Sequence, residues 1–210
     1  MAQSTAEVRA ARRRLRRLRL ELDRDERAAA ERDILLELER LRVFRRGAHV
    51  ALYLPMTGEV DLRPCLERAS LRGATVFVPR ISSRRRGRMS FVRWTPGAAQ
   101  RRNAFGILEP AGTIRPTPVA LLDVVVVPVV GFDRRGNRLG MGAGFYDRAL
   151  RPRLDRTQRF RRPRLIGIAY SLQQVDRLEP AAWDVALDLV VTERGILRFP
   201  SHTSCRTQAA

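Results

Sequence analysis

The sequence has no lysine: the 41 basic residues among its 210 positions are arginine throughout. That absence excludes a phosphate loop built on a lysine, and it excludes Schiff-base chemistry, because both need a primary amine. Histidine is nearly missing as well. His49 and His202 are too few and too far apart for a histidine metal centre or a Ser-His-Asp triad. The two cysteines, Cys65 and Cys205, fit neither a metal-ligand spacing nor a disulfide framework, and agree with a reducing cytosol. No apolar stretch nears the roughly 20 residues that cross a bilayer. The longest, Val124 to Val130, is broken by Pro128 and reads as a buried strand. The Arg-rich start also carries acids and lacks a compact apolar segment, so no leader peptide is predicted and the expected location is cytoplasmic.

Positive charge is abundant, with a net charge of +19 and a pI near 11.7. It has two readings. One is an anionic partner, either nucleic acid or the phosphate and carboxylate groups of a small molecule. The other is compositional bias, with arginine filling every basic position along the whole chain. The run Arg12 to Arg19 keeps a basic nucleic-acid-binding protein as the alternative class, although Leu15 and Leu18 within it still need burial. No recognisable RNA- or DNA-binding motif accompanies the charge. A hydrophobic content of 44% and a mean hydropathy of −0.28 describe a soluble globular chain. One domain over residues 1–200 is expected, followed by a disordered tail at 201–210.

Hydrophobic periodicity predicts two helices between residues 5 and 42, the second capped by Asp23 with Glu26 three positions on. Strands are expected at His49–Leu54, Thr75–Val78, Met89–Trp94, Val124–Val127 (the central one), Leu165–Tyr170 and Leu187–Val191, the last of the chain. Helices are expected at Val60–Leu71 and Phe145–Leu154, and residues 95–120 read as a long irregular connection. Strands separated by helical crossovers imply an α/β fold, a three-layer α/β/α sandwich with a mostly parallel sheet. Ligands gather beyond the carboxyl ends of such strands.

The most informative segment runs from Gly131 to Arg148, after the most apolar strand and into a helix. Gly140, Gly142 and Gly144 alternate, so backbone N–H groups can converge on an anion without Cβ obstruction. A helix starting near Phe145 would turn its positive end to the same anion. Arg138 offers a forked cation, and Asp147 a hard oxygen ligand for a nucleotide-bound Mg²⁺. A structural turn explains alternating glycines equally well, and Asp147 can simply charge a helix start. The spacing leads to a phosphate-binding loop and names no reaction.

Read whole, Arg138-Leu-Gly-Met-Gly-Ala-Gly-Phe-Tyr-Asp-Arg148, preceded by Val127-Pro and Gly131-Phe-Asp, resembles the signature of the 5-formyltetrahydrofolate cyclo-ligase family. The resemblance continues in Ala51-Leu-Tyr-Leu-Pro-Met-Thr-Gly-Glu-Val-Asp61, Gly73–Arg80, Phe105–Pro110, Ile166–Tyr170, Trp183-Asp184 and Val191-Thr-Glu193. It implies a NagB/RpiA/CoA transferase-like fold and an ATP- and Mg²⁺-dependent monomeric enzyme. Its substrate would be a small folate, with surplus arginines able to suit a polyglutamylated one, and no membrane or specific nucleic-acid partner is implied.

By the same resemblance, Arg138 and Tyr146 are catalytic. ATP is held by Arg12, with Arg9 standing in for the family's N-terminal lysine, and by Arg138, Leu139, Gly140, Met141, Gly142, Ala143, Gly144, Phe145 and Tyr146. Met141, Gly142, Ala143, Gly144 and Phe145 also touch the folate, with Leu54 and Glu59 at its pterin; Asp147 and Asp184 hold Mg²⁺. Glu59 has an alternative role as a cap for a helix starting at Val60, and Trp94 and Phe105 are either stacking surfaces or core. Three positions depart from the family pattern: Val8 where the lysine falls, Phe145 in place of a first tyrosine, and Trp183 in place of a histidine.

Overall fold

A computed structural model describes residues 5–83, 88–103, 106–154 and 162–200, without the side chains of 82 and 83. Helix α1 (Thr5–Glu21) leads into α2 (Arg24–Arg40). The break is set by Asp23, whose carboxylate accepts from the N–H groups of Asp25 and Glu26, both at 2.8 Å. Then come β1 (His49–Ala51), α3 (Arg63–Leu71), β2 (Thr75–Ser83), β3 (Arg88–Arg93), β4 (Gln100–Arg102) and β5 (Leu108–Pro110). The second half contains β6 (Val124–Pro128), β7 (Gly131–Phe132), β8 (Arg138–Leu139), α4 (Phe145–Leu150), β9 (Arg164–Ile168), β10 (Leu189–Thr192) and β11 (Gly195–Arg198).

Seven strands form one sheet in the order β11-β10-β9-β6-β1-β2-β3, with β6 at its centre as the apolar run predicts. The five inner strands are parallel, and the edges β3 and β11 are antiparallel. The strand period divides the four valines of β6. Val124 and Val126 join a core with Ile34 and Leu38 of α2 and Leu66 and Ala69 of α3. Val125 and Val127 join another with Leu150 of α4. Helices therefore flank both faces, although the second is covered mainly by α4 and by short 3-10 turns at Val119–Leu121 and Arg151–Leu154.

Several boundaries differ from the periodicity. Helix α3 starts at Arg63, not Val60, because Asp61 accepts from the Arg63 N–H at 2.9 Å and Pro64 sits in the first turn, where proline costs no bond. Helix α4 ends at Leu150 and passes into the 3-10 turn Arg151–Leu154, with Arg151 still helical (φ −48°, ψ −36°), because Pro152 has no N–H to continue the α-helical bonding. The connection 95–120 carries the β4–β5 hairpin, and β11 follows β10 through a turn at Gly195 (φ +116°) that four unpatterned residues could not announce. The tail 201–210 and Phe105 lie outside the described residues. Trp94 belongs to the core beside α3.

Candidate active site

The parallel strands β1, β2 and β6 end around one cavity of about 1060 Å³. The glycine loop forms one wall, from Arg138 through Leu139, Gly140, Met141, Gly142, Ala143, Gly144, Phe145 and Tyr146 to Asp147. Facing it are Leu54 and Glu59 from the segment after β1, with Asp184 and Trp183 at the rim and Arg12 reaching in from α1. Residues more than 100 positions apart in sequence are thus brought together. Arg9 is not among them. Val8 and Arg12, one helical turn apart, share the face of α1 that meets the cavity, and the 100° step to Arg9 carries it into solvent.

The loop is held from below by a buried carboxylate. Asp133, fully buried, accepts from the N–H groups of Arg135 (2.9 Å), Asn137 (3.0 Å) and Leu178 (3.0 Å), and from the Asn137 side-chain amide at 2.9 Å. These bonds close the β7–β8 hairpin around Gly136 (φ +82°) and launch Arg138 toward the cavity. The Gln173 amide adds a brace, donating to the carbonyls of Val129 at 2.7 Å and Val130 at 2.9 Å.

Two positions in the loop demand glycine. Gly144 caps α4 with φ +64°, and a Cβ there would meet Arg148 Nη1 at 2.8 Å. Gly142, at φ +95°, lies under the Arg12 guanidinium, which donates from Nε to the Gly140 carbonyl at 2.8 Å. Arg12 therefore already lies across the loop. Helix α4 is only six residues long and has no side-chain cap, so the loop's own N–H groups, more than a macrodipole, supply its positive field.

Charge is arranged openly here. Arg138, with 4% of its side chain exposed, pairs through Nη2 with Asp147 Oδ1 at 2.5 Å, while its buried Nε has no partner. Asp147 Oδ1 also accepts from the Val185 N–H at 3.3 Å, and Asp184 Oδ2 from the Ala181 N–H at 2.9 Å. Each of the two carboxylates keeps its other oxygen without a partner among the described residues. The Tyr146 hydroxyl is pushed well above the ordinary phenol range by burial and by Glu59, against the pull of Arg138, so it stays a neutral donor.

At the opposite wall Glu59 braces its own turn, Oε2 accepting from the Met56 N–H at 3.0 Å. It caps no helix. Burial raises its carboxyl above the usual range, against the lowering effects of the Met56 N–H, Arg19 and Arg16. Arg19, buried in α1, stands 3.8 Å from Glu59 Oε1, and the sequence reading did not single it out. The signal was there: Arg19 sits one turn after Leu15 and three residues before Leu22, on the apolar face of the helix.

Some of the other arginines pair with neighbouring carboxylates. Arg63 pairs with Asp61, Arg68 and Arg72 with Glu39, Arg101 with Glu109, Arg153 with Asp188, and Arg162 with Asp123.

A family model described as the 5-formyltetrahydrofolate cyclo-ligase family matches residues 4–193. A 5-formyltetrahydrofolate cyclo-ligase of Haemophilus influenzae is 32% identical over 84% of this chain and 93% of its own length. One from Escherichia coli is 35% identical over 68% of this chain and 76% of its own. Among solved structures, the 5,10-methenyltetrahydrofolate synthetase of Aquifex aeolicus superposes with a TM-score of 0.76 at 31% identity, covering 96% of this chain and 97% of that one. The Mycoplasma pneumoniae synthetase gives 0.69 at 26% identity, covering 89% and 98%. Matched along nearly its whole length in both sequence and fold, the chain belongs to the 5-formyltetrahydrofolate cyclo-ligase family.

Proposed function

We propose that this protein closes 5-formyltetrahydrofolate to 5,10-methenyltetrahydrofolate with consumption of ATP and release of ADP and phosphate, inside the cavity between the glycine loop and Glu59. The observation that carries the reading is that facing arrangement. An anion-binding loop and a buried carboxylate share about 1060 Å³, above the roughly 300–1,000 Å³ typical of a single-ligand site.

Bound ATP supplies a phosphoryl group to the formyl oxygen, which makes that oxygen a leaving group; N10 then attacks the carbon, loses its proton, and phosphate departs. Little covalent chemistry falls to the protein, so positioning and charge stabilisation dominate. The loop N–H groups of residues 139–146 and Arg12 cradle the phosphates. Arg138, with its orphaned Nε, is placed to meet charge on the transferring group. Asp147 and Asp184, each with one oxygen left over, suit a Mg²⁺ that takes its remaining ligands from phosphates and water. Tyr146, held neutral, donates a hydrogen bond at the junction of the two ligands. Leu54 packs on the pterin, and Glu59 accepts from its aminopyrimidinone N–H groups. Met141 through Phe145 touch both ligands.

The buried, unpaired Cys65 suits a cytoplasmic setting, and no helix among the described residues is long and apolar enough to cross a membrane. The test is direct. Pure protein with 5-formyltetrahydrofolate and MgATP should develop the near-ultraviolet methenyl chromophore. An unchanged spectrum from folded protein would defeat the reading.

A further inference from the structure

Arg19 is a costly residue where it stands. Only 3% of its side chain is exposed, its Nε is buried without a hydrogen-bond partner, and its Nη2 lies 3.8 Å from Glu59 Oε1, beyond hydrogen-bond reach. The surroundings pin it there. The Arg27 guanidinium donates to the Arg19 carbonyl at 2.5 Å, and the turn carrying Glu59 packs over it, a Cβ on Gly58 lying in van der Waals contact with Arg19 Nε at 3.4 Å. Apolar residues in the same helix face, such as Leu15, fill this kind of position without a charge to desolvate. A buried cation aimed at a buried carboxylate but not closed onto it makes a poor structural bridge. It makes a good electrostatic support, because it leaves Glu59 Oε1 free to accept bonds from something else.

We infer that Arg19 is the positioning residue of the substrate end: its permanent charge keeps Glu59 ionised and aimed at the N–H edge of the pterin. The inference rests on the reading of Glu59 as the pterin contact. Burial works against that role, since a protonated carboxyl presents a weaker acceptor and a competing donor. The groups facing Glu59 are Arg16 and Arg19 from α1, Tyr53 after β1 and Tyr146 from α4. Burial holds both phenols above their ordinary range, so they stay neutral. Glu59 is therefore the member of this group that burial pushes toward its neutral form, against Arg19 and Arg16. Removing Arg19 leaves burial less opposed and moves its titration upward.

The experiment measures KM for 5-formyltetrahydrofolate and for ATP, with kcat, from pH 6 to 9 in the full chain and in Arg19→Met, Arg19→Lys and Glu59→Gln, after circular dichroism has checked folding. Arg19→Met should raise the folate KM about tenfold for each pH unit by which Glu59's titration comes to lie above the assay pH. The defect should shrink as pH rises, with ATP KM and kcat unchanged. Arg19→Lys keeps the charge and should keep the parent profile, and it carries the test alone if the methionine variant does not fold. Glu59→Gln should raise the folate KM at every pH and abolish its acid limb. A changed Glu59→Gln beside an Arg19→Met profile like the parent's overturns the inference alone, whatever the melting temperature does. An Arg19→Lys profile with its acid limb displaced upward overturns it too. A Glu59→Gln variant with unaltered folate KM removes both the pterin contact and the inference.

Discussion

The two ends of the parallel sheet use the same residues to opposite effect. At the amino ends of the strands, Asp123 gives one oxygen to the His49 N–H and the other to Arg162, and Asp188 gives one to Arg153 and the other to the Leu165 N–H. Both carboxylates are saturated. At the carboxyl ends, Asp147, Asp184 and Glu59 each retain an oxygen with no hydrogen bond from the described residues. An arginine near an aspartate is therefore no guide to function by itself. What differs between the two ends is whether each carboxylate oxygen has a donor; buried arginine nitrogens without a partner occur at both, on Arg153 as on Arg138 and Arg19.

The sharpest way to break this comparison is a matched pair of substitutions. Asp147→Asn should lower kcat/KM by at least about 10²-fold, in line with losing charge stabilisation of a phosphoryl transfer, with a far smaller loss of stability. Asp123→Asn should leave kcat/KM within about twofold and cost about 1–3 kcal/mol in urea unfolding, because its saturated bonds only tie strands together. Equal stability losses with no difference in turnover would erase the distinction between the two ends. Next comes a glycine pair with the same backbone demand. Gly144→Ala and Gly47→Ala should each cost about 1–2 kcal/mol for left-handed backbone, at φ +64° and +76°. Only the first, crowding Arg148, should also raise the ATP KM, by about tenfold, and steady-state kinetics beside melts would show it. The smallest effect belongs to the rim. Trp183 is 69% exposed and lines the cavity, whereas Trp94 is buried away from it. Ligand addition should change the emission of Trp183, and Trp183→Phe should abolish that change while altering KM only a fewfold, since a phenyl ring still stacks. Emission unaffected by saturating MgATP and folate would take Trp183 out of the site.

Legibility followed the range of the interactions. The central strand was readable because an apolar run buried on both faces has few alternatives, and the α2 cap because its bonds lie within three residues. The glycine loop could be found by spacing, but the wall opposite it could not. Leu54 and Glu59 were assigned through family resemblance alone, because nothing local says that the segment after β1 faces residues 138–147. Arg9 lies off the cavity-facing side of α1 that Val8 and Arg12 share, a matter of helical phase that resemblance in charge does not capture. Arg19 went unnoticed for the mirror reason: one arginine in a run of many draws no attention until burial sets it apart.

Asp133 carries a consequence for the spacing of the two candidate metal ligands. Its side chain fastens the hairpin from which the strip bearing Asp147 departs, and through the Leu178 amide it fastens the start of the segment that ends in Trp183-Asp184. The segments carrying Asp147 and Asp184 thus share one anchor, and that anchor does not line the cavity. Under the proposed metal reading, displacing that anchor would change the separation of Asp147 and Asp184 although Asp133 itself does not reach the cavity.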